Sequence, residues 1–215
     1  MSRYKRNQIE EALSRAFGEP SAKPSSELRT RVKRLLEMDR SLGRNARSAD
    51  PQVANYAFFR GDSPGRGIEV WFSAYEAFAL MIGLRLLKHG WPQSLPVALL
   101  RRLRPELERE HARILKQDPV ILFDEKAIQR KARPGDLYFD NTDPVLLAIV
   151  SGQQPAKEGS TETPPCAICR GMQHVSKFLQ QEAARSWTLH ELVTPAHALL
   201  FQLSRAQPRK RGRSG

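Results

Sequence analysis

Long apolar runs are missing from this chain. No stretch approaches the roughly 18–20 consecutive apolar residues that a membrane-spanning helix needs, so no membrane partner is expected. The first residues, Met1-Ser2-Arg3-Tyr4-Lys5-Arg6, are basic but no apolar stretch follows, and no secretory signal is expected either. Cysteine is scarce. Two cysteines in 215 residues cannot build a disulfide framework, and a reducing, cytoplasmic location is the simplest expectation. Catalytic signatures are absent too: there is no P-loop, no G-x-S-x-G elbow, and none of the five histidines stands in an H-E-x-x-H pair. The glycine-rich stretch 60–67 lacks the order of a phosphate loop. These absences do not touch a catalytic site assembled from distant residues, so a nucleic-acid-processing enzyme stays open as a minor reading.

Positive charge is what the chain has. The formal net charge is +12 and the sequence pI is near 10.2. Such a balance implies a polyanionic partner, most often nucleic acid. The charge is patterned. Residues 1–47 hold twelve Lys/Arg against six Asp/Glu, 85–116 hold eight against three, and 205–215 hold five against none. These segments are net +6, +5 and +5, so the remainder is net acidic by four. Composition is otherwise that of a soluble globular protein, 40% hydrophobic and 27% charged, long enough for one domain or two small ones.

Apolar spacing predicts two helices in the first segment. Ile9, Ala12, Leu13, Ala16 and Phe17 form a helical stripe, stopped by Gly18 and Pro20. A second helix, capped by Ser25 or Ser26, has Leu28, Val32, Leu35 and Leu36 on one side and Arg29, Arg31, Lys33, Arg34 and Arg40 elsewhere. A basic helix of this kind can lie on a phosphate backbone or enter a major groove. A solvated charged face is the ordinary alternative. Residues 43–54 read as a linker. Two aromatic runs, 55–59 and 68–72, then flank a Gly/Pro/Asp loop with Arg60 and Arg66, a hairpin signal with a basic tip. Ser73-Ala74-Tyr75-Glu76 is a capping box opening an apolar helix that closes at His89-Gly90. A fourth helix follows from Leu95, with Arg101, Arg102, Arg104, Arg109 and Arg113 among its leucines and a kink or break expected at Pro105.

The stretch Val70-Trp71-Phe72-Ser73-Ala74-Tyr75-Glu76 through Leu84 to Gly90 and on to Leu99-Leu100 resembles the segment after the wing in MerR-like winged-helix regulators. The resemblance covers about the first half of the chain. It implies a winged-helix-like unit, with Arg29, Arg31, Lys33 and Arg34 on the recognition helix and Arg60 or Arg66 on the wing. The family's closely spaced first helix-turn-helix, with its Arg-Tyr-Tyr signature, has no counterpart, and a longer Pro-rich break separates the first two helices.

The second half predicts short strands at 120–123 and 137–139 and a stronger one at 144–150. It further predicts a flexible linker at 151–165, a short helix at 176–185, and a final helix opened by a capping box at Thr188-Leu189-His190-Glu191. Zinc is the one candidate cofactor. Cys166 and Cys169 form a C-x-x-C pair, with His174 and His190 as further ligand candidates, but Leu179 stands where a zinc knuckle needs its last cysteine. Asp136, Asp140 and Asp143 are a turn cluster more often solvated than cation-binding.

The expectation is a mostly helical α+β protein, winged-helix-like and hairpin-bearing over 1–117. Connecting strands span 118–150, a linker 151–165, a smaller C-terminal portion 166–206 and a basic tail 207–215. Its function is double-stranded DNA binding in transcription regulation, with homodimerisation left open. The DNA contacts are Arg29, Arg31, Lys33, Arg34, Arg40, Arg60, Arg66, and Arg209, Lys210, Arg211 and Arg213 of the tail. The rival is an interaction module that docks an acidic protein on the Arg-rich fourth helix.

Overall fold

A computed structural model describes residues 3–19, 23–61, 70–132, 134–135, 137–150, 163–184 and 186–207. These residues form a mostly helical α+β protein, 57% helix and 11% strand, with nine helices and two small antiparallel sheets. They fall into two compact units. One comprises residues up to Arg104 together with those from Ala198 onward, and the other runs from Pro105 to His197.

In the first unit, strand β1 (Tyr4–Lys5) leads into α1 (Arg6–Ala16) and then α2 (Ser26–Ser41). The expected stripes face inward: Ile9, Leu13, Val32 and Leu35 are all essentially inaccessible. Ser25 caps α2 by accepting from the Leu28 N–H at 3.1 Å. The stretch read as a linker holds a short helix, α3 (Pro51–Ala54), opened by Asp50 and Pro51. Strand β2 (Trp71–Phe72) then precedes α4 (Ala74–Lys88), whose capping box forms as expected between Ser73 and Glu76. Helix α4 is apolar nearly all round, and every residue from Tyr75 to Leu84 is buried. Gly83 lets it approach its neighbours. A Cβ there would lie 3.3 Å from Leu35 and 3.4 Å from both Leu100 and Phe58.

The predicted hairpin is corrected. Trp71 and Phe72 pair with Lys5 and Tyr4, not with the aromatic run at 55–59, which is not a strand. Side chains have taken the backbone groups that a strand partner would have used. Arg104 donates to the Tyr56 and Phe59 carbonyls, and Asp39 accepts from the Ala57 and Phe58 amides. The loop tip at 62–69 lies outside the described residues.

Helix α5 (Ser94–Ile114) is assigned straight through Pro105, so the expected break is not a helix end. The division between the units falls at that proline, between Arg104 and Pro105. The expected strand at 120–123 is instead helix α6 (Pro119–Leu122), because Asp118 caps it and Pro119 presets its first turn. Helix α7 (Glu125–Lys131) follows, and 137–139 is irregular.

The second unit is built on β3 (Val145–Val150), the strand read most clearly in the sequence, which is buried at all six positions. It is flanked antiparallel by β4 (Cys166–Arg170) and β5 (Trp187–Glu191). Helix α8 (Gly171–Gln181) starts five residues before the predicted 176. It covers one face of the sheet, where Val175 packs with Leu146, Ala148 and Cys169. Thr188 does not open a helix, because Trp187–Glu191 pairs with β3 as a strand. Glu191 caps α9 (Val193–Arg205) instead, accepting from the Val193 and Thr194 amides at 2.6 and 3.0 Å. No helix among the described residues is long and apolar enough to cross a membrane.

Candidate nucleic-acid interface

Helix α2 is held at its start and near its middle. At its start, Glu19 accepts from Ser14 Oγ at 2.6 Å and from Ser25 Oγ at 2.9 Å, tying the end of α1 to the cap of α2. Burial alone would raise the Glu19 pKa. The bonds from Ser14 and Ser25 outweigh that and hold it below its ordinary value. Further along, Gln93 Nε2 donates to the Arg34 carbonyl at 2.9 Å.

The five basic residues of α2 have different surroundings. Arg29, Lys33, Arg34 and Arg40 are exposed and Arg31 is half-buried. Arg31 meets Glu27 at 2.5 Å and Lys33 meets Glu37 at 3.7 Å, so each is balanced on its own helix. Among the described residues neither Arg29 nor Arg34 is within ion-pair distance of a carboxylate. Helical spacing puts Arg29, Lys33 and Arg40 along one flank of the solvent face and Arg34 on the other.

In the last turn of α2 the Arg40 guanidinium lies 5.6 Å from the Phe59 ring centroid, and just past the helix that of Arg44 lies 5.7 Å from Tyr56. Arg60 is exposed at the end of this segment. Lys5 lies over the half-exposed Trp71 ring at 5.1 Å. Arg66, Arg209, Lys210, Arg211 and Arg213 lie outside the described residues, as does most of the expected linker at 151–165. Sequence reasoning missed Arg44, because a stretch without periodicity gives no facing to its side chains.

Helix α5 uses its arginines differently. Arg101 is 4% exposed and Arg104 6%. Arg101 Nε donates to Asp39 Oδ1 at 2.6 Å, and its Nη2 reaches the Asp39 and Gly43 carbonyls at 2.9 and 2.5 Å. Arg104 donates to Glu76 at 2.9 Å besides the Tyr56, Ala57 and Phe59 carbonyls. Of the five arginines expected on this helix, Arg102 and Arg109 are exposed. In the second unit Arg113 bonds Glu110 and Asp143 at 2.5 and 3.1 Å, and Arg170 bonds Glu110 at 2.7 Å. Burial would raise the Glu110 pKa, but the bonds from Arg170 and Arg113 bring it below the usual carboxylate value. Asp143 is lowered in the same way, against its burial, by Arg113 and Gln117. It is thus an ion-pair partner rather than part of an open acidic turn.

The four metal candidates do not converge. Cys166 and Cys169 lie three apart on β4 and so face opposite sides of the sheet. Cys169 pairs with Leu146 on the face under α8, and burial raises its thiol pKa. His190 is buried opposite Leu147, on the other face. His174 is exposed on α8, where its Nδ1 accepts from the Arg170 N–H. Among the described residues no three of His, Cys, Asp and Glu are grouped to hold a metal ion.

No protein-family model matches the chain, and no curated protein or solved structure is significantly similar to it.

Proposed function

We propose that this protein binds double-stranded DNA as a transcription regulator, and that its first unit makes the contact with α2 as the recognition helix. The observation that carries this reading is the sorting of charge. The buried Arg101 and Arg104 and the half-buried Arg113 are matched to carboxylates, whereas Arg29 and Arg34 stand exposed on α2 without a carboxylate partner. Their positions on opposite flanks suit a helix lying between two phosphate backbones, with one cation toward each strand. Arg60 and Arg66, before β2, would extend the contact, and the tail would add sequence-independent affinity. The acidic-partner alternative has less support, because Arg101 and Arg104 are turned inward.

The test is fluorescence anisotropy with random and genomic duplex fragments across a salt series. With about six phosphate contacts, affinity falls on the order of a thousandfold between 50 and 200 mM salt. Arg29→Ala/Arg34→Ala is expected to lower the salt slope by about two. A protein lacking residues 207–215 that binds no duplex even at low salt would falsify the proposal.

A further inference from the structure

We propose that residues 43–61 are a second, preformed contact element for the same duplex, to which Arg44 and Arg47 bring phosphate ligands and in which Arg101 and Arg104 act as positioning residues. This rests on the DNA-binding reading of α2.

Within 43–61 the four residues of α3 are the only helix, and no strand is formed. Its own hydrogen bonds lie within 45–55, where the Asn45 N–H donates to the Val53 carbonyl at 2.9 Å, and an irregular segment of this kind is costly to hold in one shape by those alone. Further restraint, including that on Gly43 and on 56–59, comes from outside. Arg101 reaches the Gly43 and Gln52 carbonyls and Arg104 those of Tyr56 and Phe59. Asp39 closes the set by accepting from the Ala57 and Phe58 amides at 3.1 and 2.9 Å. Two buried ion pairs are a poor way to gain stability, since apolar side chains of similar volume serve as well or better. What they supply that apolar groups cannot is a set of donors fanned onto an irregular backbone.

The segment held in this way is cationic. It carries Arg44, Arg47 and Arg60 against Asp50, whose carboxylate caps α3 by accepting from Gln52 N. It also continues the basic flank of α2. Arg29 and Arg40 are eleven residues apart on that flank, about 17 Å. Arg40 stacks on Phe59 of the segment and Arg44 on Tyr56, so the cations at the junction are oriented by rings that the clamp fixes. A polyanion laid along α2 would meet this second row without first having to order it, which is how preorganisation raises affinity.

The experiment is the same salt series with duplex DNA, run on the full chain and its variants. Arg44→Ala/Arg47→Ala is expected to lower the salt slope by about two and weaken binding roughly ten- to hundredfold at 100 mM salt, with an unchanged thermal midpoint. Arg101→Lys keeps a charge for Asp39 but cannot span the carbonyls. It is expected to lower the slope as well, and to add nothing in the Arg44→Ala/Arg47→Ala background. Hydrogen exchange at the Ala57 and Phe58 amides of the unmodified protein, expected to be slow, checks the clamp independently of whether Arg101→Lys folds. A wild-type slope for Arg44→Ala/Arg47→Ala, beside a reduced one for Arg29→Ala/Arg34→Ala, overturns the second contact element and leaves the α2 reading standing. Amides of 57 and 58 that exchange as fast as open loop overturn the positioning role. A chain that binds no duplex at all removes both proposals together.

Discussion

Helices α2 and α5 are both rich in arginine, and two arginines of each are put to opposite uses. On α2 the guanidinium groups of Arg29 and Arg34 are exposed, while on α5 those of Arg101 and Arg104 end on Asp39, Glu76 and backbone carbonyls. Basic residues counted along a helix therefore say little about a binding face. Their phase against the apolar stripe says more. Arg104 stands four residues after Leu100 and three before Leu107, which puts it on the buried side of α5. Arg34 stands two residues after Val32 and two before Leu36, on the far side of α2 from its apolar stripe, so it reaches solvent.

The contrast is most exposed to test at Asp39. Asp39→Ala leaves Arg101 buried without its carboxylate, and about 3–5 kcal/mol of stability should be lost in urea unfolding. A loss no greater than that of a surface substitution would erase the difference between the two helices.

Protonation gives the next largest effect. Helix α5 also buries His111, which burial, with His197 nearby, pushes down to about 4. Its folded pKa thus lies below its unfolded one, so the unfolded chain takes up the proton first as pH falls from about 6.5. Stability is complete above that value and is lost on the way down to about 4. Between pH 7.5 and 5 the loss from this group is about 2 kcal/mol. Burial lowers His197 too, against its bond to the Ile114 carbonyl, and this adds to the loss. Urea midpoints at the two pH values should converge in His111→Gln. Burial raises Glu191, which takes up its proton earlier in the folded chain and offsets part of this loss, whereas Glu110 and Asp143 are held below their ordinary values.

A smaller change is expected at the start of α4, where Ser73→Ala removes one half of the capping box. The cost should be about 1 kcal/mol in thermal or urea unfolding. Smallest of all, Arg34→Ala should move stability by no more than about 0.5 kcal/mol. A larger loss there would mean that Arg34 supports the fold in the way Arg101 does.

Elements with local periodicity were legible in the sequence. The stripes of α1 and α2, the capping box and all-round apolar character of α4, and the apolar run of β3 each appear as expected. What was not legible depends on distant partners. The aromatic run at 55–59 has the composition of a strand, yet its hydrogen bonds go to side chains 18 to 48 residues away. Trp71 and Phe72 find their partners at the other end of the first unit's sequence, in β1. The Thr188 box matched the helix-start pattern, but pairing with β3 claimed those residues and left capping to Glu191. Of the candidate site, the basic face of α2 followed from spacing, and Arg44 and Arg47 did not, because a stretch without periodicity carries no signal of where its side chains point.

Gly83 has a consequence for how this sequence can vary. Its missing side chain leaves room for Leu35 of the basic helix, Leu100 of the clamp helix and Phe58 of the clamped segment to meet α4 together. A residue bulkier than alanine at 83 cannot be accommodated while all three keep their size. In any divergent copy of this chain, a larger residue at that site should be accompanied by a smaller one at 35, 58 or 100. Position 83 would then act as a ruler. Its occupant reports how closely the basic helix and its neighbouring segment are drawn together, without either being examined directly.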